Sequence, residues 1–202
     1  MNDTKERILA AALRLFSTDG YEGVSVSDIS GALGMTKGAL YRHYKNKRDI
    51  FESILTRMEQ RDAAHAKSFS LPEGRPEEMA GTYRSARIEQ ILAFGKSMFR
   101  YWTQDAFASL FRKMLTLEQY RNEEMGKLYQ QYLVSGPVGY LTDLFAAMEM
   151  KEPESAAVRF YAPMFLLYSV YDGADDKTKV IGALDHALDC AVSSIIKQKK
   201  ER

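Results

Sequence analysis

The sequence predicts an all-α fold, with a small unit of short capped helices at the N-terminus joined to a larger helical region. Three observations carry that expectation. Apolar residues recur three and four positions apart through most of the chain, capping signatures stand where those runs begin, and no stretch carries a convincing strand or hairpin signal. The 202 residues are 46% hydrophobic, ample for a core, and carry a net charge of only +1.

The strongest local signals lie between residues 25 and 51. Ser25 followed by Asp28 is a capping box: the Ser25 hydroxyl accepts from the Asp28 backbone N–H, and the Asp28 carboxylate accepts from that of Ser25. The apolar residues Val26, Ile29 and Leu33 follow at helical spacing. Gly34 suits the left-handed residue that ends such a helix. Thr36 then caps a second helix, expected from Thr36 to Tyr44, with Leu40 and Tyr44 turned inward. Asn46 with Asp49 is a further box, opening a helix at Lys47. Helix, glycine turn and helix at this spacing form a helix-turn-helix.

Capped helix pairs are common in ordinary helical proteins, so the turn alone says little. The side chains around it say more. No acidic residue falls between Asp28 and Asp49, while Lys37, Arg42, Lys45, Lys47 and Arg48 all do. In a nearly neutral chain this is a local cationic patch. Gly38 and Ala39 are poor choices for packing, yet they let a backbone come close to a base edge. Thr36 and Lys37 stand beside them at the positive end of the helix dipole, and Tyr41, His43 and Lys47 add donors used on phosphate oxygens. The segment reads as a binding surface for double-stranded DNA.

The run Gly34-Met35-Thr36-Lys37-Gly38-Ala39-Leu40-Tyr41-Arg42-His43-Tyr44-Lys45-Asn46-Lys47-Arg48-Asp49-Ile50-Phe51 closely resembles the DNA-binding signature of TetR/AcrR-type bacterial transcriptional regulators. The preceding stretch fits as well: Ile8, Leu9, Ala12, Leu13 and Phe16 form a first helix ending at Asp19-Gly20-Tyr21. The resemblance covers about the first sixty residues and beyond them is one of architecture. It implies that the second helix enters the major groove. Carried over by position, Ser25 and Ser27 touch phosphates, Lys37, Gly38 and Ala39 approach base edges, and Arg42 is a further reader. Tyr41, His43 and Lys47 grip the backbone. Ser30-Gly31 departs from the family's usual alanine and helix former, and Gly31 costs that helix about 1 kcal/mol relative to alanine.

The resemblance gives a domain division of 1–48 for the helix-turn-helix domain and 49–202 for a helical ligand-binding and dimerisation domain. The linking helix continues to about residue 68 and buries Ile50, Phe51, Ile54, Leu55 and Met58. Leu71-Pro72-Glu73-Gly74-Arg75-Pro76 breaks it. Helical patterns resume at 83–102, 104–115 and 117–148, the last interrupted at Gly136-Pro137. Two more follow near 154–171 and 176–199, and the basic tail 197–202 reads as a frayed helix end.

In the last helix Ile181, Leu184, Leu188, Ala191 and Ile195 step by three and four, and in the preceding one Phe160, Met164, Tyr168 and Tyr171 do likewise. Either both helices cover one internal core, or they pair with a second copy as a four-helix bundle. A palindromic operator, with major grooves about 34 Å apart, favours a homodimer whose interface uses Phe160, Met164, Ile181, Leu184, Leu188, Ala191 and Ile195. For the effector, large apolar groups with occasional hydroxyls are available in Tyr101, Trp102, Phe107, Phe111, Met114, Tyr129, Tyr132, Phe165 and Tyr168. Such a lining suits a small, largely apolar or aromatic molecule, though rings at helical spacing are more often plain core.

Other functions find little support. The chain has no nucleophile elbow, metalloprotease helix motif, phosphate loop or cysteine pair, and its three histidines are far apart, so no enzyme, metal or cofactor is expected. One cysteine, Cys190, matches a reducing compartment. With no signal peptide and no apolar stretch of spanning length, a cytoplasmic protein without a membrane segment is expected. The combined expectation is a dimeric repressor released from its operator by a small effector. A regulator controlled instead by a protein partner, and more remotely a helical-bundle enzyme, stand as alternatives.

Overall fold

The structure, a computed structural model, describes residues 3–72 and 80–200. Among these residues every regular element is an α-helix. Positions 73–76 of the expected proline–glycine break and the last two residues of the basic tail lie outside the described residues. The chain divides into two compact units that do not follow chain order. One comprises residues 1–62 and 106–129, the other 63–105 and 130–202. This partition is drawn differently from the 1–48 and 49–202 division read from motif and resemblance.

The first unit holds α1 (Asp3–Asp19), α2 (Val26–Ala32), α3 (Lys37–Tyr41), the N-terminal part of α4 (Lys47–Ser68), α7 (Ala106–Glu118) and the beginning of α8 (Glu123–Leu133). Its core follows from the apolar spacing: Ile8, Leu13, Phe16, Ile29, Leu40, Ile50, Phe51 and Ile54 are wholly buried. The ring of Tyr21 bridges Phe16 and Phe51, with centroids 5.1 Å from each. Helix α7 packs along α1, sealing Phe111, Met114 and Leu115 completely. Each side chain so buried contributes on the order of 1.5–3 kcal/mol.

The second unit holds the end of α4, α5 (Ala80–Ser85), α6 (Ile88–Gln104), α9 (Ser135–Ala147), α10 (Pro153–Gly173) and α11 (Lys177–Lys200). Helix α10 is central, packed on α9, α11 and α6. Gly95 on α6 lets the Phe160 ring in; a Cβ there would stand 2.7 Å from its Cζ. Phe99 and Tyr168 stack almost parallel with centroids 5.2 Å apart. Lys96 pairs with Asp189 and Arg100 with Asp185, both at 2.6 Å, fastening α6 to α11.

Within the single chain most of the expected dimer seam is already covered. Phe160, Met164, Leu184, Leu188 and Ile195 are each no more than 4% exposed within the single chain, and Ile181 and Ala191 are half-buried. The three-and-four spacing marks the side turned toward α6 and the unit's own core. The apolar residues left on the surface of α10 are Val158, Phe165, Leu166 and Val170.

The pattern read as one interrupted helix over 117–148 is three elements. Helix α7 runs on to Glu118, and α8 ends at Leu133, ahead of the expected break. Gly136 and Pro137 fall in the first turn of α9, where a missing N–H costs little because the first N–H groups of a helix have no carbonyl partner within it.

Candidate nucleic-acid interface

The helix pair is built by local bonds that the sequence spells out. Ser25 Oγ accepts from the Asp28 N–H at 3.2 Å, and Asp28 Oδ2 accepts from the Ser25 N–H at 2.7 Å and from its hydroxyl at 2.6 Å. The Ser25 hydroxyl, more than any other group, holds the Asp28 carboxyl below its ordinary pKa. Gly34 then takes φ +63°. Its N–H donates to the Gly31 carbonyl and that of Met35 to the Ser30 carbonyl, both at 3.0 Å. These two bonds are a Schellman closure, and they fix the turn between the helices.

Thr36 caps α3 with its Oγ1 accepting from the Ala39 N–H at 3.2 Å. The regular helix is shorter than the expected 36–44, ending at Tyr41, although the Tyr44 N–H still reaches the Leu40 carbonyl at 3.2 Å. Leu40 and Tyr44 are buried and anchor the inner side. Ser25, Thr36, Lys37, Gly38, Tyr41 and Arg42 are exposed, while Ser27, Ala39 and His43 are half-buried. A Cβ built on Gly38 meets nothing within 4 Å, and its φ lies outside the left-handed region. Neither packing nor backbone strain inside the chain calls for a glycine there. Its effect is a bare stretch of main chain on the outside of α3, open to close approach by another molecule.

The expected Asn46–Asp49 box is half formed. Asn46 Oδ1 accepts from the Asp49 N–H at 2.8 Å, but the Asp49 carboxylate takes the Lys45 N–H, also at 2.8 Å. Lys47 is engaged inside the chain. Its Nζ donates to the Tyr21 carbonyl at 2.7 Å, lies 4.3 Å above the Tyr21 ring and stands 3.8 Å from Glu22. The Tyr21 N–H donates in turn to Glu118 Oε1 at 3.0 Å, and Arg121 reaches the same oxygen at 3.1 Å. Gly20, at φ +81°, makes room for this group, since a Cβ would collide with both Glu118 and Arg121. Arg48 forks onto both oxygens of Glu124 at 2.6 and 2.7 Å. Sequence reasoning missed Glu118 and Glu124, which meet Tyr21 and Arg48 from 97 and 76 positions away and leave no local signal.

The aromatic residues expected around an effector are divided between the units. Phe107, Phe111, Met114 and Tyr129 belong to the first; Phe111 and Met114 are sealed core. In the second unit Trp102 touches Tyr101 and Tyr132, with centroids 5.8 and 6.4 Å away. Phe165, 42% exposed, lies on the surface of α10. Tyr168 is buried against Phe99. A group the sequence did not single out surrounds His65. Its ring stacks on Tyr101 at 5.0 Å, its Nε2 lies 3.1 Å from Ser97 Oγ, and Phe69 and Phe94 flank it at 5.6 and 5.9 Å. Burial lowers the His65 pKa.

Among the described residues no three His, Cys, Asp or Glu side chains gather as metal ligands, and no helix is long and apolar enough to cross a membrane. The capped pair α2–α3, closed by Gly34 and carrying Lys37, Gly38 and Arg42 on its outside, defines a helix-turn-helix protein. Residues 8–54 match the family of bacterial regulatory proteins, tetR family. Over 52 residues, 26% of this chain and 24% of the relative, it is 46% identical to the HTH-type transcriptional regulator AcrR of Shigella flexneri. Over 47 residues, 23% of this chain and 25% of the relative, it is 43% identical to the biofilm operon icaADBC negative regulator IcaR of Staphylococcus epidermidis. The chain thus matches about a quarter of the length of these curated relatives. Across 95% of this chain and 90% of that one, the fold is similar to the SmeT–triclosan complex at a TM-score of 0.67 and 17% identity. SmeT is the repressor of the multidrug efflux pump SmeDEF of Stenotrophomonas maltophilia. A regulatory protein of the tetR family from Rhodococcus RHA1 is similar at a TM-score of 0.64 and 16% identity, with 96% and 98% of the two chains covered.

Proposed function

We propose that this protein is a sequence-specific DNA-binding transcriptional repressor, dimeric on a palindromic operator and released from it by a small, largely apolar or aromatic effector. The observation that carries the reading is Gly38. A glycine with no internal reason stands on an exposed helix between Lys37 and Arg42, where a duplex edge would need bare main chain. Base edges are met by Lys37, Gly38, Ala39 and Arg42, and phosphates by Ser25, Ser27, Thr36, Tyr41 and His43. Lys47 acts on this surface through Tyr21, whose carbonyl it holds. The exposed stripe Val158, Phe165, Leu166 and Val170 on α10 is the face offered to a second copy. Repression and effector release follow the relatives, whose names record negative regulators and a drug complex. An effector acts to the extent that it binds the DNA-free form more tightly.

The test is selection of bound duplexes from a random library by the full chain, followed by sedimentation of the complex. The expected outcome is one palindrome whose half-sites lie about one helical turn apart, bound by an even number of chains. A folded sample that binds no duplex at low ionic strength refutes the reading.

A further inference from the structure

Helix α11 turns one side to solvent between Lys179 and Lys197. That side is nearly symmetric about position 188. Lys179 answers Lys197, Gly182 and Ala183 answer Ser194 and Ser193, and His186 answers Cys190. At the helical repeat these residues fall within about a third of the circumference, with His186 and Cys190 at the centre. Glycine, alanine and serine on either side of the pair leave room for another helix to come close. Helix α11 also packs on α10, which carries the apolar stripe offered to a second copy.

Both members of the central pair are exposed, so the packing of the chain does not call for either. Cys190 Sγ lies 3.6 Å from His186 Nε2. A tetrahedral zinc ion, bonded at about 2.3 Å to sulfur and about 2.0 Å to nitrogen, sets two such ligands about 3.5 Å apart. The pair already has the edge length of a zinc tetrahedron. Four positions along a helix is also a spacing at which two side chains of one face hold a metal. The adjoining carboxylates are engaged elsewhere, Asp185 with Arg100 and Asp189 with Lys96, each at 2.6 Å. Among the described residues no third ligand gathers within the chain, whereas a closed zinc site takes four. The symmetry of the strip supplies the other two. A second α11, laid antiparallel across a two-fold axis at position 188, sets its histidine beside this cysteine and its cysteine beside this histidine.

We propose that His186 and Cys190 are half of a Cys2His2 zinc site, closed when the same pair of a second copy meets them across α11. This rests on the reading of the protein as a dimer and adds to it an ion shared by the two chains. On binding, two thiols release their protons, and two thiolates with two neutral imidazoles leave the zinc ion with no net charge. Nitrogen and sulfur donors in a tetrahedron select zinc over magnesium and calcium.

The test titrates cobalt(II), a coloured stand-in for zinc, into the full chain after chelator treatment and phosphine reduction, with sedimentation of the same samples. Thiolate-to-cobalt charge transfer and tetrahedral d–d absorption are expected to level off at one ion per two chains and to vanish when zinc is added. Cys190→Ser should lose the charge-transfer band, and His186→Gln should weaken cobalt binding by at least about tenfold. Both positions are exposed, and melting of the metal-free variants checks that they fold. Absorption that survives in Cys190→Ser marks an adventitious ion only and overturns the proposal, as does an end point of one ion per chain. A dimer without the thiolate band overturns the zinc site and leaves the dimer standing. Chains that stay single with and without cobalt refute the dimer and the shared site together.

Discussion

Replacing Gly38 by alanine moves stability and DNA affinity in opposite directions. The added methyl meets no atom of the chain within 4 Å, and the backbone there is not left-handed, so nothing opposes the substitution inside the fold. Alanine is favoured over glycine within a helix by about 1 kcal/mol, and at the second residue of the short α3 roughly half to all of that is realised. For a chain of this size the melting temperature rises by about 1–4 °C. On DNA the same methyl occupies the space that a base edge needs, at a cost of about 1–3 kcal/mol, or roughly five- to a hundredfold in affinity. Differential scanning fluorimetry reads the first effect, and fluorescence anisotropy on the selected operator reads the second. A variant that melts higher yet binds its operator unchanged refutes the role of Gly38. A variant that melts lower refutes the account of α3 itself.

Glu118→Ala removes a buried acceptor and leaves the Tyr21 N–H unmet, so chemical unfolding should show a loss of about 2–3 kcal/mol; a loss near zero would dissolve the contact's importance. Lys47→Ala should lower both melting temperature and operator affinity while the salt dependence of binding stays nearly constant, since the ammonium is already held by Tyr21 and Glu22; a salt slope reduced by about one would assign it to a phosphate instead. The Asp62 carboxyl titrates near 3.8 when unfolded and about 7 when folded. Its stabilising contribution is therefore complete below about pH 4 and is lost as pH rises through 7. Asp62→Asn lacks that loss and should gain on the wild type across this window by a few kcal/mol at most, on the order set by linkage, as read from urea unfolding at both ends; parallel curves for the two proteins would refute the shift.

What was legible in the sequence was local. The Ser25 box, the Gly34 turn and the Thr36 cap each close within six residues, so the residue types name their own partners. The seam of α10 and α11 was legible as a periodicity only. Spacing reports which side of a helix is buried and is silent on what buries it, and α6 takes the place assigned to a second copy. The end of α8 at Leu133 escaped because Gly136-Pro137 marks the start of a helix as readily as a break. Asp62 stood in plain register, four residues from Met58 and from Ala66, as a polar intrusion in an apolar stripe. The partners of Tyr21 and Arg48 had no such trace, since only the closed fold brings α7 and α8 beside them.

The bond from Tyr21 to Glu118 spans 97 positions of chain. A graft of the operator-binding module onto a foreign sensor by cutting after the first sixty residues would leave behind the acceptor that seats the Gly20 corner and the carboxylate that clasps Arg48. Chimeras of this protein therefore require transplanting two separate stretches, 1–62 and 106–129, as one piece.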